Sequence, residues 1–201
     1  MPSPFAEQEK QKIRAKLREA AEICLARYGV QKTTVDRLAE MAGIAKGSFY
    51  KFYPSKEELF FEVLEHYQSA VMEEIADRFR RMAPVTPDTF AATMLGLFQK
   101  TRRSFIMTLL ENREFEVLFR KLPEDRVKQH HVFDDRMAEN LFRHARLRKD
   151  VDAGLAAAAL RAVFLTMLHV PEIGESHFEK TIELLILGLA RQILEGDGRD
   201  A

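Results

Sequence analysis

Tryptophan is absent from this 201-residue sequence, and cysteine occurs once, at Cys24. A single thiol closes no internal disulfide, so the stapled scaffolds of small secreted domains are excluded. No secretory leader and no apolar run long enough to span a bilayer is expected, which points to a reducing, cytoplasmic setting without a membrane partner. Net charge is lacking too: 31 Lys plus Arg balance 31 Asp plus Glu. Bulk electrostatics therefore gives no reason to expect a polyanionic partner. No glycine-rich phosphate loop, nucleophile elbow, HExxH or CxxC is present, so neither an enzyme nor a cofactor is expected.

What is there is ordinary for a folded domain: 46% hydrophobic and 31% charged residues, enough to bury a real core. Apolar residues recur at helical spacing throughout, with no alternating β-branched runs, so the chain reads as all-α. Charge is unevenly spread, residues 1–60 carrying +3 and the rest −3. Gly29, Gly43, Pro54, Pro84 with Pro87, Pro123, Lys149 to Asp152 and Pro171 to Gly174 mark the breaks.

A first helix lays Ile13, Leu17, Ala20, Ala21, Cys24, Leu25 and Tyr28 on one stripe and stops at Gly29. Cys24 reads there as a small core residue. Thr33 or Thr34 caps a helix over Val35 to Ala42, Gly43 turns the chain, and a second short helix of about two turns starts at Ala45 to Lys46 and reaches Phe52. Ser55 and Glu58 form a capping box that opens a long helix to Arg81, with Phe60, Leu64, Tyr67, Val71, Ile75 and Phe79 on its stripe. A helix of that length, about 40 Å at 1.5 Å per residue, ties an N-terminal head to a body. The division expected is 1–54 for the head and 55–201 for the body. Further helices are expected at Asp88 to Asn112, Glu114 to Leu118, Pro123 to Ala145, Asp152 to Leu168 and Glu175 to Leu194. The last two are apolar nearly all round, which suits either a buried core or a four-helix dimer interface over about 152–168 and 175–194.

The short second helix has the composition that a DNA major groove demands. Entry into a groove about 12 Å wide needs small residues and short polar or cationic ones on the exposed face. Gly47 and Ser48 supply the small face, Lys46 and Lys51 reach phosphate or guanine, Tyr50 offers a hydroxyl or a ring to a thymine methyl, and Phe49 points inward. Thr33 and Thr34 offer hydroxyls and backbone N–H groups to phosphate, and Lys56 clamps the flanking strand. The competing readings are a plain solvated helix face for the lysines and Tyr50, and a plain N-cap for Thr33.

The string from Thr33 to Leu59, TTVDRLAEMAGIAKGSFYKFYPSKEEL, closely resembles the N-terminal domain of the TetR family of repressors, a likeness that covers about residues 7–66. It carries the paired threonines, the LAxxAG stretch, the KGSFYKFY helix and the PSKEEL start of a fourth helix. The resemblance implies a three-helix helix-turn-helix head joined by a long fourth helix to a C-terminal helical bundle. That bundle dimerises through its last two helices and holds a small-molecule effector whose binding weakens the grip on a palindromic operator. Three positions depart from the pattern: Ala45 where serine or threonine is usual, Tyr53 where phenylalanine is usual, and Lys51 where histidine is frequent. Ala45 removes a cap or phosphate contact and leaves room for an interaction protein that has lost DNA binding; activation instead of repression stays open as well.

The effector is not identified by the sequence. Met94, Phe98, Phe105, Phe133, Phe164 and Met167 are the candidate apolar lining, with Leu97, Ile106 and Phe119 beside them, although plain core is the commoner fate of such residues. His130 with Asp134, and His131 with Asp135, have the i,i+4 spacing that places a pair on one helix face. No metal is assigned to them, because charged surface pairs are commoner.

Overall fold

The computed structural model describes residues 4–82 and 84–196, with side chains from 7–82, 84–130 and 139–196. Helices follow one another through these residues, and the extended pairing among them is one isolated antiparallel bridge between Leu147 and Leu194. The all-α reading holds. In chain order the helices are α1 (Pro4–Lys32), α2 (Val35–Ala42), α3 (Lys46–Phe49), α4 (Lys56–Arg81), α5 (Pro87–Arg102), α6 (Phe105–Glu111), α7 (Glu114–Arg120), α8 (Glu124–Phe142), α9 (Ala153–Leu165), α10 (Val170–Ile173) and α11 (Glu175–Ile193). A 3-10 turn, Thr166–His169, joins α9 to α10.

The chain forms two compact units. One comprises Met1–Gln68 with Arg103–Val127, the other Ser69–Arg102 with Lys128–Ala201. The first unit packs Leu17, Cys24, Leu25, Leu38, Phe49, Leu59, Phe60, Phe61, Leu109 and Leu118 into one cluster of fully buried side chains. Each such Leu or Phe contributes about 1.5–3 kcal/mol by leaving water. Helices α6 and α7 thus share a core with the head. The second unit is centred on Phe79, Phe90, Met94, Phe98, Leu160, Phe178, Ile182 and Ile186, with Phe79 stacked on Phe90 and Phe90 on Phe142.

Local chemistry sets the boundaries. The Ser55 hydroxyl accepts the Glu58 N–H at 3.2 Å and starts α4, whose stripe Phe60, Leu64, Val71, Ile75 and Phe79 is buried as its spacing predicts, with Tyr67 of the same stripe half-buried. Gly43 ends α2 in the left-handed region at φ 72°. The helix expected over Asp88 to Asn112 is instead two: Ser104 stops α5 and caps α6 by accepting the Ile106 N–H at 3.3 Å. A serine side chain competes with helix continuation, and no glycine or proline marks the place. Arg113, at φ 53°, separates α6 from α7 in a conformation that costs a non-glycine residue energy. The helix expected to Leu168 ends at Leu165, and the chain then coils on as the 3-10 turn and α10 through Pro171, breaking only at Gly174. Proline is tolerated there because it stands in the first turn of α10, where its missing N–H is no loss.

One expectation is overturned. The stretch Ala153–Ile173 is, by length and composition, apolar enough to cross a membrane, yet only 17% of it is buried within the chain. Its alanines and leucines leave almost no charge along 21 residues.

Candidate nucleic-acid interface

The candidate surface is built from α1 outward. Gly29 interrupts α1 at φ 71°, ψ −173°, and the turn that follows is pinned from three sides. Thr33 donates its hydroxyl to the Gly29 carbonyl at 2.7 Å. The Lys56 ammonium donates to the carbonyls of Val30 at 2.7 Å and Thr33 at 2.6 Å, with Gln31 at 3.5 Å. From α7, the Glu114 carboxylate accepts the N–H of Val30 at 2.7 Å and of Gln31 at 3.4 Å.

This geometry corrects two of the sequence expectations for the free protein. Thr33 is fully buried, so its hydroxyl serves the turn and not a phosphate. Lys56 is half-buried, its pKa pushed below the ordinary lysine value by burial, and its protons are committed to backbone carbonyls. Both side chains shape the head from inside. Neither role is legible in sequence, because the Thr33 bond depends on the kink at Gly29 and the Lys56 partners lie more than 20 residues back along the chain.

Thr34 caps α2 by accepting the Arg37 N–H at 3.3 Å, and it stays exposed. The Gly43 N–H bonds to the Glu40 carbonyl at 3.0 Å and the Ile44 N–H to the Ala39 carbonyl at 2.9 Å, closing the turn into α3. Ala45 stands at the α3 N-cap with no side-chain hydrogen bond. The regular helix is correspondingly short, Lys46–Phe49, rather than the two turns expected. The chain carries on as tight turns, with the Phe52 N–H on the Phe49 carbonyl at 2.9 Å. Pro54 forces Tyr53 out of helical conformation, which fixes the end.

Phe49 is fully buried and meets the Tyr50 ring edge-to-face, centroids 5.5 Å apart. Burying that one ring turns its neighbours outward: Lys46, Gly47, Tyr50 and Lys51 are exposed and Ser48 is half-buried. Tyr50 keeps 53% of its surface open. An added Cβ at Gly47 would meet nothing within 4 Å, and its φ is ordinary, so the fold itself does not require a glycine there. The Lys46 ammonium rests 2.7 Å from the Asp36 carboxylate, a solvent-exposed pair that holds the lysine pKa above its usual value through that hydrogen bond. Arg37, which the sequence reading left out, lies 4.2 Å over the Tyr28 ring on the exposed first turn of α2. Its position three residues after the Thr34 cap was the available signal.

The described effector candidates divide between the two units. Phe105 lies in the first unit, its ring 5.4 Å from Tyr67. In the second unit Phe98 contacts Phe164 at 5.5 Å and Phe178 at 5.9 Å, and Met94 and Met167 are buried. The Phe133, His131, Asp134 and Asp135 side chains lie outside the described residues; His130 is buried on α8. A cavity of about 230 Å³ between α4 and α5 is lined by Val71, Glu74, Ile75, Arg78, Thr93, Gly96, Leu97 and Lys100, of which Leu97 is one of the candidate lining residues.

Residues 17–63, which hold this whole surface, match the sequence model of the family described as bacterial regulatory proteins, tetR family. This segment carries the TetR-family domain. The fold agrees along nearly its full length. A TetR family transcription regulator from Marinobacter aquaeolei VT8 superposes with TM-score 0.64 at 17% identity, over 94% of this chain and 99% of that one. Thermus thermophilus FadR, solved in complex with lauroyl-CoA, gives TM-score 0.59 at 20% identity over 94% and 98%. In sequence, an uncharacterized HTH-type transcriptional regulator, YhgD of Bacillus subtilis, is 30% identical over 97 residues, 48% of this chain and 51% of that protein. The chain spans about half the length of that curated relative. Ala45, Lys51 and Tyr53 are the departures within this TetR-family domain. Tyr53 is explained by its hydroxyl, which donates to Glu62 at 3.1 Å beside an Arg18 to Glu62 ion pair at 3.0 Å.

Proposed function

We propose that the chain is a DNA-binding transcriptional regulator and no enzyme: residues 1–54 read a palindromic operator, and residues 55–201 dimerise and hold a small-molecule effector that releases the DNA. The observation that carries the reading is the division at α3, where Phe49 is sealed in the core while Lys46, Gly47, Tyr50 and Lys51 face out. Cations and a tyrosine hydroxyl on a face free of bulk suit phosphate and base edges in a major groove. Thr34 at the exposed start of α2 adds a phosphate contact.

A homodimer is supported by apolar surface that a lone chain leaves wet. Leu155 and Leu165 on α9 and Leu184 and Leu185 on α11 are 56%, 45%, 63% and 44% exposed. Leu155, Ala158, Ala162 and Leu165 fall on one helical stripe of α9, and an added Cβ at Gly188 on α11 would meet open space. A second copy covering this face gives a two-fold molecule whose heads reach successive major grooves about 34–36 Å apart. Repression with effector release follows the family expectation, and the FadR structure with lauroyl-CoA supports a ligand-holding body for this fold. A DNA-bound regulator works in the cytoplasm.

The experiment is selection of duplexes from a random-sequence library, followed by gel-shift titration of the enriched site. Tyr50→Ala and Lys46→Ala each lower affinity at least about tenfold with the dimer intact, as loss of one good base contact requires. Affinity must also fall steeply as salt rises. Unchanged affinity in both variants sinks the proposal.

A further inference from the structure

The geometry points to Glu114 as a positioning residue for DNA recognition: from α7, its carboxylate locks the turn from which α2 and α3 depart. The inference rests on the DNA-binding reading above, and it moves control of the reading surface to a residue outside 1–54.

Glu114 is 5% exposed, and both its oxygens are turned to backbone N–H groups, those of Val30 and Gln31. Lys56 takes the carbonyls of Val30, Gln31 and Thr33. One short turn therefore has its donors held by an anion and its acceptors by a cation, the strongest class of hydrogen bond on each side. Gly29, just before it, has no side chain and a positive φ, and the Glu114 carboxylate stands in the space a Cβ would need. Arg113, immediately before Glu114, adopts the left-handed conformation at φ 53°. Non-glycine residues hold that conformation where the surroundings over-determine it.

Cohesion alone does not call for this arrangement. Glu114 and Leu118 share one buried face of α7 at i and i+4, with buried Leu122 just past the helix end, and a leucine at 114 would fill it without the cost of burying a carboxylate. The acid is needed for what it does to the turn. Thr33 is followed directly by the Thr34 cap, and α2 and α3 are closed on each other through Gly43 and Ile44. The tilt of the pair against α1 is set at residues 29–33, where Glu114 and Lys56 hold it.

The consequence separates two kinds of affinity. Base contacts are short and directional, so a small tilt removes them. Attraction to phosphates is long-ranged and tolerates it. The test compares the full-length wild type, Glu114→Gln and Glu114→Asp on two probes: the duplex enriched by the wild type and a random duplex of equal length. Glu114→Gln preserves size while turning an amide NH₂ toward one of the two N–H donors; Glu114→Asp keeps the charge and withdraws it. The expected result is a specific-to-random affinity ratio at least about tenfold lower in Glu114→Gln, and lower in Glu114→Asp, with random-duplex affinity and helix content retained. An unchanged ratio in folded Glu114→Gln, or a fall on both probes in step with the unfolded fraction, overturns the inference. Should Glu114→Gln fail to fold, the ratio for Glu114→Asp decides it alone. A wild type that enriches no sequence defeats the DNA-binding reading, and the inference falls with it.

Discussion

The Glu114 carboxyl carbon lies 2.6 Å from where a Cβ on Gly29 would stand, nearer than any real contact. Two requirements thus meet at Gly29, a φ of 71° and an empty side-chain position. Gly29→Ala should cost about 2–4 kcal/mol, from left-handed strain and displacement of the acid. Combined with Glu114→Ala it should cost less than the two singles summed, since the collision is removed once. Urea titrations of the four proteins measure this, and strict additivity would contradict it.

Asp36 places an acid against Lys46 on the proposed reading face. An exposed pair of this kind is screened by water, so its loss hardly alters stability. Asp36→Asn removes a repulsive charge and frees the ammonium, which should tighten binding to random duplex several-fold and steepen its salt dependence. Weaker binding to random DNA would show that Asp36 holds Lys46 in its working position.

Leu184, 63% exposed on α11, is the most open of the large apolar side chains among the described residues. Leu184→Glu should leave helix content unchanged and shift a dimer toward monomer by at least about tenfold in dissociation constant, because a buried unpaired charge is costly. Sedimentation equilibrium reads the result; a wild-type monomer at micromolar concentration would remove the need for a partner.

Tyr53 gives a pH signature. Burial first, and the Glu62 carboxylate next, push its hydroxyl up to about 12 from an ordinary 10.0. A group whose folded pKa is raised contributes stability that is complete below the unfolded value and is lost as pH climbs through the folded one. The head should therefore hold its full Tyr53 contribution below pH 10.0 and lose it toward about 12. Tyrosinate absorbance during an alkaline titration follows the event. Tyr53→Phe should abolish the late component at a cost of about 0.5–1.5 kcal/mol at neutral pH.

Short-range chemistry was legible in the sequence, and long-range partnership was not. Thr34, Gly43 and the Ser55 to Glu58 cap act within four residues, so they fixed α2 and the start of α4 correctly. The Phe49 and Tyr50 division followed from adjacent residues on a short helix. Ser104 was overlooked because a serine inside an apolar pattern reads as tolerated when no glycine or proline accompanies it. Thr33 and Lys56 were assigned outward because their inward partners, Gly29 and the Val30 to Thr33 carbonyls, come from a kink that only the folded chain displays. Glu114 looked like an ordinary acid in the first turn of a helix. Its spacing to Leu118 and Leu122 was the overlooked clue, an acid in register with an apolar stripe.

No described atom needs position 47 to be small, and Lys46 and Lys51 are exposed beside it. These three positions form a cassette whose contents are decoupled from the scaffold beneath, whereas Tyr50 is tied to it through the edge of its ring on Phe49. Exchanges at 46, 47 and 51 leave the packing of Phe49 alone, so a change of target sequence that runs through them need not pass through an unstable intermediate.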